Sequence, residues 1–464
     1  MPEESFPKSR GHVRSTSTIS VRVNPVNYLI ALLLASVLGA FLIYLGFQVS
    51  AYIFLLFVWV LVPFLALTDK VVFDGRRIRR TGFLPGIWAR MTSTRDRIKL
   101  VDVEQVQTAL LRTIKRGGNL TFMYRTSFIG KGKVFAIQSG HRNYRKFVDA
   151  VLPKLSNATL DHRSIDLRDH LNDRFEVRRR ATAFEIPSTE VLESGLLTSL
   201  SKGRRTERVS DIAAATKATE LHTLANQLRV TGLLPQAIEA FRRATVLTPG
   251  NARLLFDFAT CLRSYGASHR DLTVERRALA MMRLAERRAG DDGDLLTDIG
   301  EGYFQFGEWR RAGSTFRKAI ERAGQRFRSV IGLAELALHE GKIAHVIHNF
   351  SVARELAESP ATRRWTSHEI DYFSKLNSDE EYMELEISRM NLLDTLALIR
   401  GSALRIAMVG FPVIVIGILF EEHLIANIGW AVSLISFGVW GAVILLSQML
   451  SARIPHDLVE NDRQ

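Results

Sequence analysis

The stretch IGEGYFQFGEWRRAGSTFRKA, residues 299–319, has two counterparts in the chain. They are LANQLRVTGLLPQAIEAFRRA at 224–244 and LAELALHEGKIAHVIHNFSVA at 333–353. In each copy a glycine is followed by a small or apolar residue, a phenylalanine and an alanine at fixed spacing. The shared positions are Ala237, Phe241 and Ala244, then Ala312, Phe316 and Ala319, then Val346, Phe350 and Ala353. This pattern predicts two short amphipathic helices joined by a glycine turn in each copy.

A fourth copy fits between the first two, with seven extra residues after its turn. Its matching residues are Ala259, Gly266, Ala278, Met282 and Ala285. The turn glycines of the four units are Gly232, Gly266, Gly307 and Gly341. The predicted units are 218–251, 252–292, 293–326 and 327–360. Because a single helix pair cannot bury its apolar face, the four units are expected to stack into an α-solenoid.

The arrangement of small and aromatic residues resembles the tetratricopeptide repeat (TPR). The resemblance implies a concave groove, lined by the first helix of each unit, that binds a cytosolic protein or peptide segment. Carried over by position, the groove residues are His222, Asn226, Arg229, Arg253, Phe256, Thr260, Arg263, Glu301, Phe304, Gln305, Arg328, Glu335 and His339. The first two units are the more basic, so an acidic part of the partner is expected there. The alternative for each residue is a solvated helix face.

Two apolar regions flank the repeats and predict transmembrane hairpins. Tyr28 to Phe47 and Ala51 to Leu67 carry no charge, and a bilayer core of ~30 Å needs about 20 such residues in a helix. A cleaved signal peptide is the alternative for the first run, but a second apolar run follows at once. Ile406 to Phe420 and Leu424 to Leu450 form the second predicted hairpin, although the first of these runs is short for a complete span.

Residues 69–155 have a different, strand-like character. Short apolar segments separated by glycines predict strands at Val71–Phe73, Ile78–Thr81, Ile98–Val106, Leu120–Tyr124 and Val134–Ile137. Apolar residues from Tyr144 to Leu152 predict a closing helix. This order, directly after a membrane hairpin, resembles bacterial membrane-linked pleckstrin-homology-like (PH-like) domains. The resemblance implies a small β-rich domain next to the membrane.

Basic residues of this β-rich region are candidates for contact with anionic lipid headgroups. They are Arg76, Arg77, Arg79, Arg80, Lys115, Arg116, Lys131 and Lys133. Each basic residue near an anionic surface contributes about 1 kcal/mol of attraction. The alternative is that they only orient the hairpin and are otherwise solvated. The net charge of +14 agrees with the excess of basic residues on the cytoplasmic side of membrane proteins.

The complete prediction is a multi-domain membrane protein of α-helical hairpins, a small β-rich domain and an α-solenoid. Its segments are a disordered basic N-terminus (1–26), hairpin 1 (27–68), the PH-like domain (69–155), a charged linker (156–217), four TPR units (218–360), a helical connector (361–402), hairpin 2 (403–450) and a C-terminal tail (451–464). Basic residues at both ends of each hairpin place the two termini and both soluble domains in the cytoplasm. The expected location is the bacterial inner membrane.

The sequence has no motif for catalysis. It contains neither the H-E-x-x-H of zinc proteases nor a complete P-loop, and no G-x-S-x-G. The single Cys261 cannot form a disulfide within the chain and is expected to be a small buried side chain. We therefore expect no enzyme, no cofactor, no metal site and no nucleic-acid binding. The predicted function is a membrane-anchored scaffold; the alternatives are a structural subunit of an envelope-assembly or secretion complex, and a lipid-binding or transport-associated membrane protein.

Overall fold

The computed structural model describes residues 18–91, 97–116, 119–140, 143–192 and 211–451. These form two compact units. The first comprises residues 18–23, 68–332 and 356–364, and the second comprises 24–67, 333–355 and 365–451. The first unit holds the strands and most of the helical repeats, whereas the second holds the long apolar helices.

An antiparallel sheet of four strands begins the first unit. Its strands, in spatial order, are β1 (Ile19–Arg22), β2 (Lys70–Phe73), β3 (Arg77–Thr81) and β4 (Arg97–Lys99). Strand β1 corrects the prediction that the N-terminus is disordered up to residue 26. Ile19 pairs with Phe73 and Arg22 with Lys70, and Val21 is only 1% exposed. The alternation of apolar and polar residues in this short segment is sufficient for a strand when a partner strand is present.

The second sheet is also antiparallel, and one helix packs beside it. Its strands are β5 (Gln105–Arg116), β6 (Asn119–Gly130) and β7 (Lys133–Gln138), followed by α4 (Tyr144–Val151). Phe128 of β6 and Phe73 of the first sheet both contact the ring of Phe147 in α4, with centroids 5.9 Å apart in each case. The predicted closing helix is therefore confirmed, and its apolar face joins the two sheets into one core.

The structure differs from the sequence prediction at one strand, which is interrupted, and at one helix, which was not predicted. The segment Ile98–Val106 is not a single strand, because a short 3₁₀ turn, Leu100–Asp102, separates β4 from β5. At this point the chain passes from one sheet to the other: Leu100 N–H donates to Arg76 O at 3.0 Å, and Glu104 N–H donates to Ile129 O at 2.8 Å. Helix α3 (Phe83–Met91), after β3, was not predicted.

The first part of the predicted charged linker is folded. It forms α5 (His162–His170) and α6 (Arg174–Ala183). Asp161 caps α5 by accepting a hydrogen bond from Ser164 N–H at 2.9 Å, a typical N-cap contact. Leu167 of α5 and Val177 and Ala181 of α6 are fully buried. The prediction of a solvated linker is wrong for this part because these few apolar residues lie on the inner faces of two otherwise charged helices. Residues 193–210 of the predicted linker lie outside the described ranges.

The repeats form a TPR-like array of helix pairs. The pairs are α7 (Asp211–Val230) with α8 (Leu234–Leu247), α9 (Ala252–His269) with α10 (Leu272–Arg288), α11 (Gly293–Gln305) with α12 (Trp309–Ala323), and α13 (Phe327–His339) with α14 (Ile343–Glu355). Gly232, Gly307 and Gly341 occupy the left-handed region, with φ of +84°, +76° and +71°. This confirms the predicted glycine turns, since a side chain is disfavoured in that conformation.

The second pair turns at a different residue from the predicted one. Gly266 lies inside α9, and the left-handed residue is Arg270, with φ of +55°. The inserted residues lengthen both helices: α9 has 18 residues and α10 has 17, compared with 13 in α11 and 15 in α12. Cys261, in the middle of α9, is buried as predicted.

The recurring phenylalanine explains the recurring small residues. Phe316 of α12, in the third repeat, is fully buried, and its ring lies against Gly300 of α11 and Gly332 of α13. A Cβ at either glycine would overlap the ring. Phe241 of α8 and Ala237 and Ala244 beside it are likewise fully buried. The repeated spacing within the chain therefore reflects packing between neighbouring helices.

The second unit contains four helices that are long and apolar enough to cross a membrane, judged by length and composition. They are α1 (Val26–Tyr44), α2 (Gln48–Thr68), α16 (Glu380–Leu419) and α17 (His423–Met449); α15 (Pro360–Ser378) precedes α16. Small residues allow close contacts: Gly39 lies against Leu55, Gly410 against Ser433 and Gly417 against Ala426. Tyr44 Oη donates to Asn427 Oδ1 at 2.9 Å. The third apolar run, predicted to be short, continues a single helix of 40 residues.

Candidate functional site

Helix α5 lies on the face formed by the first helices of the first three repeats, where the groove was predicted. The N-terminal end of α5 is bonded to β5. Thr108 N–H donates to Asp161 Oδ2 at 3.1 Å, and the hydroxyl oxygens of Thr108 and Ser164 are 2.7 Å apart. Its inner face carries His162 and Asp166, both partly buried. The predicted groove of these repeats therefore holds a helix of the same chain.

Asp166 of α5 and Arg229 of α7 form the central contact. Both terminal nitrogens of Arg229 donate to the Asp166 carboxylate, at 2.9 and 2.8 Å, and the side chains are 8% and 18% exposed for Arg229 and Asp166. Burial alone would raise the pKa of Asp166, but the Arg229 guanidinium outweighs it and holds that pKa well below its usual range. A two-pronged contact of this kind is strong and fixes the orientation of both side chains.

Asp257 of α9 joins the first two repeats. Its Oδ2 accepts a hydrogen bond from Asn226 Nδ2 at 2.9 Å and lies 2.7 Å from His222 Nε2. Burial raises the pKa of the Asp257 carboxyl, whereas the hydrogen bond to His222 and the charge of Arg253 lower it, and the net pKa is below its usual value. Asp257 is therefore an ionised, fully partnered carboxylate rather than a general base.

Acidic and basic residues alternate along the second to fourth repeats. Arg328 Nη1 lies 3.0 Å from Asp298 Oδ1, and its Nη2 contacts Glu301 at 2.7 and 2.8 Å. Arg253 also pairs with Asp298. Each carboxylate in this row is thereby balanced by a guanidinium.

Three residues in this row have the composition of a metal site. The ligand atoms of His162, Asp298 and Glu301 all lie within 4.8 Å of one another. Both carboxylates already pair with Arg328, and a metal ion would have to displace that guanidinium. The geometry thus favours a charge network that seats α5. The cluster could not be recognised from the sequence because its members lie on separate helices.

The predicted groove residues divide by exposure. Asn226, Arg229 and Phe256 are buried, and the Phe256 ring contacts His162 of α5 at a centroid distance of 5.8 Å. The partly buried ones are His222, Thr260, Arg263, Glu301, Phe304 and Arg328. The exposed ones are Arg253, Gln305, Glu335 and His339. The buried members therefore serve contacts within the chain, and partner binding stays a prediction for the exposed members.

Sequence reasoning missed the acidic residues that complete the network. Asp257 and Asp298 occupy the same position in the second and third repeats, 41 residues apart, as do Arg253 and Arg328 in the second and fourth. This recurrence was a usable signal for charge pairing between repeats. No comparable signal marked Asp166, because it lies in a segment that the charge pattern assigned to a linker.

The predicted lipid-contact residues differ in their exposure and in whether they form ion pairs. Arg80 pairs with Asp69 through two contacts of 2.9 and 2.6 Å, and Lys131 lies 3.0 Å from Asp102. Arg76, Arg77 and Arg79 are exposed. Lys133 is half-buried, and the side chains of Lys115 and Arg116 lie outside the described part of the chain. Among the described residues of this set, Arg76, Arg77 and Arg79 at the β2–β3 turn are thus the exposed ones that form no ion pair.

Comparisons with known proteins add likenesses of fold only. No protein-family model and no curated protein matches the chain. Among solved structures, a thermophilic TPR protein of Thermus thermophilus is 20% identical, covering 33% of this chain and 81% of its own, with a TM-score of 0.29. PilF of Pseudomonas aeruginosa is 16% identical, covering 47% and 90%, with a TM-score of 0.30. MamA is 18% identical, covering 31% and 81%, with a TM-score of 0.25. The description as a TPR-like repeat accordingly depends on the residue pattern and helix geometry given above.

Proposed function

We propose that this protein is a membrane-anchored scaffold whose TPR-like repeats bind a soluble protein. The observation that carries the proposal is the combination, in one chain, of a helix-pair array with four helices long and apolar enough to cross a membrane. Such arrays present extended binding surfaces. A partner held at a membrane is also confined there, which raises its effective concentration toward other membrane proteins.

The proposed binding surface consists of exposed groove residues of the last repeat. Glu335 and His339 of α13 are both exposed, and Leu338 between them is 48% exposed. An exposed leucine flanked by polar groups suits a partner that brings both apolar and hydrogen-bonding side chains. An extended peptide along the first two repeats, by contrast, would first have to displace α5.

We further propose that the β-rich part is PH-like and faces an anionic membrane surface. Two antiparallel sheets joined by α4 agree with the resemblance noted in the sequence. Arg76, Arg77 and Arg79 supply accessible positive charge. With basic residues at the ends of both hairpins, the proposed location is the bacterial inner membrane with the soluble parts in the cytoplasm. We also propose two changes to the predicted domain boundaries. The β-rich part includes residues 19–22, and the repeat domain includes residues 157–183.

Position-resolved photo-crosslinking in cells tests the scaffold proposal. A photoreactive amino acid is placed at Glu335 or at His339 in the full chain, and at Arg283 as a matched control on the exposed side of α10. We expect one soluble protein to be captured at both groove positions and at least fivefold less at Arg283. Equal capture at all three positions, or capture of membrane proteins alone, would contradict a soluble partner bound by this surface.

A further inference from the structure

A cavity of about 300 Å³ lies where the β-rich part meets the first two repeats. Leu110, Phe122 and Tyr124 of β5 and β6 form one wall. The face of α9 that carries Thr260, Ser264 and Ser268 also lines the cavity. This volume is at the lower end of the range for small-molecule sites, about 300–1,000 Å³. The cavity thus fits a small organic molecule rather than a folded partner.

The charged groups lining the cavity are predominantly basic. The lining includes three arginines, Arg163, Arg229 and Arg263, besides His162, and its one carboxylate, Asp166, is already paired with Arg229. Across the described part of the chain, no carboxylate forms an ion pair with Arg163 or Arg263, and Asp166 pairs only with His162 and Arg229. Neither of these two positive charges is therefore neutralised by an ion pair.

Contacts with uncharged groups fix the orientation of the Arg263 guanidinium. Its guanidinium donates to the backbone oxygen of Gln305 at 2.7 Å and to the Gln305 side chain, and it lies over the Phe306 ring at 4.9 Å. Burial and the charge of Arg163 lower the pKa of Arg263, against the opposing charge of Glu275. A partly buried arginine that is oriented and close to a second arginine is stabilised in its charged form when an anion enters.

Three hydroxyl groups of α9 can form hydrogen bonds to a ligand and occupy little of the cavity. Thr260 Oγ1, Ser264 Oγ and Ser268 Oγ donate to the backbone oxygens four residues earlier, at 3.1, 3.0 and 2.8 Å. Each oxygen keeps acceptor capacity, and each hydroxyl can rotate to donate to a ligand instead. Ala267 also lines the cavity, and its methyl group is too small to fill it.

We propose that this cavity binds a small organic phosphate, with the phosphate between Arg163 and Arg263 and its apolar part against Leu110 and Phe122. Guanidinium groups match the geometry of phosphate oxygens, and two of them balance a phosphate dianion. The aromatic and aliphatic wall accounts for an organic rather than an inorganic ligand. The site shares no residue with the proposed partner surface and does not depend on the scaffold function.

Calorimetric titration of the full chain in detergent micelles tests the proposal with phenyl phosphate, inorganic phosphate and benzoate as probes. We expect saturable binding of phenyl phosphate, at least tenfold tighter than either of the other two. Arg163→Gln and Arg263→Gln should each weaken it at least tenfold, and Arg283→Gln, on the exposed side of α10, should leave it unchanged.

Ala267→Leu separates cavity filling from loss of charge. This change should abolish phenyl phosphate binding while the thermal unfolding temperature stays within about 2 °C of the original. The proposal is overturned if phenyl phosphate shows no saturable binding, or if all three cavity variants bind it as tightly as the original chain. Equal affinities for phenyl phosphate and benzoate would overturn the assignment of phosphate, and equal affinities for phenyl phosphate and inorganic phosphate would overturn the role of the apolar wall.

Discussion

At the residue scale, the contact between Arg229 and Asp166 joins helices that are far apart in the sequence. The two residues are separated by 63 positions, and both side chains are largely buried. The family resemblance placed Arg229 on the groove face, which agrees with its position in α7. It could not indicate Asp166, because ion-pair partners at long range leave no periodic signal in a single sequence.

Replacing the arginine of this pair should be costly. Arg229→Ala leaves the Asp166 carboxylate buried without a partner, and breaking a buried ion pair in this way typically costs about 3–5 kcal/mol. We expect a loss of that size in the free energy of unfolding, measured by pulse proteolysis of the full chain in urea. The control Arg283→Ala, at an exposed site, should change it by less than about 0.5 kcal/mol. Equal effects of the two changes would show that the contact does not hold α5.

The same pair should make stability depend on acid pH. Because folding lowers the pKa of Asp166, its contribution is fully present above the unfolded pKa of about 3.9 and is lost as pH falls through the lower folded value. The stability difference between the original chain and Asp166→Asn should therefore be constant from pH 7 to about pH 5 and shrink as the pH is lowered toward 3. Urea titrations at each pH measure it. A difference that stays constant down to pH 3 would contradict an ionised Asp166 in the folded state.

At the scale of elements, local patterns predicted most of the helices and strands. The glycine turns, the repeated phenylalanine and the closing helix α4 all follow from residues close together in the sequence. Short elements that depend on distant partners were missed: β1 needs β2 to pair with, and α5 needs the face of the repeats. In the second repeat the glycine suggested a turn at Gly266, but helix extension moved the turn to Arg270.

The packing of Phe316 gives a test of the repeat geometry. Gly300→Ala places a Cβ within 2.6 Å of the Phe316 ring, a distance that requires the ring or the helix to move. Overpacking of a core typically costs about 1–3 kcal/mol, even though alanine is the better helix former. Gly250→Ala is a matched control, since a Cβ there meets no atom within 4 Å. Thermal unfolding of the two variants compares them, and a stabilised Gly300→Ala variant would contradict this packing.

At the scale of the whole molecule, the sequence was sufficient to locate the apolar helices, because length and hydropathy are local properties. All four predicted apolar runs lie in helices of the second unit. The face occupied by α5 could not be predicted, since the charge pattern of residues 156–217 is equally compatible with a solvated linker. The sequence therefore indicated the helix face that the groove residues share, but it did not indicate that α5 covers part of this face.

The proposed membrane topology can be measured with single cysteines in a Cys261→Ala background. Phe47→Cys lies between α1 and α2, Glu422→Cys lies between α16 and α17, and Arg283→Cys lies on the repeats. A membrane-impermeant maleimide should label the first two in intact spheroplasts and the third only after permeabilisation, since the soluble parts are proposed to be cytoplasmic. Labelling of Arg283→Cys in intact spheroplasts would reverse the proposed orientation.

The measurement that tests the membrane scaffold most directly is the distribution of its partner between membrane and soluble fractions. The soluble protein captured by crosslinking at His339 is quantified in both fractions, in cells with and without the intact chain. We predict that its membrane-bound share rises at least threefold when the chain is present. An unchanged distribution would contradict the claim that this protein holds a soluble partner at the membrane.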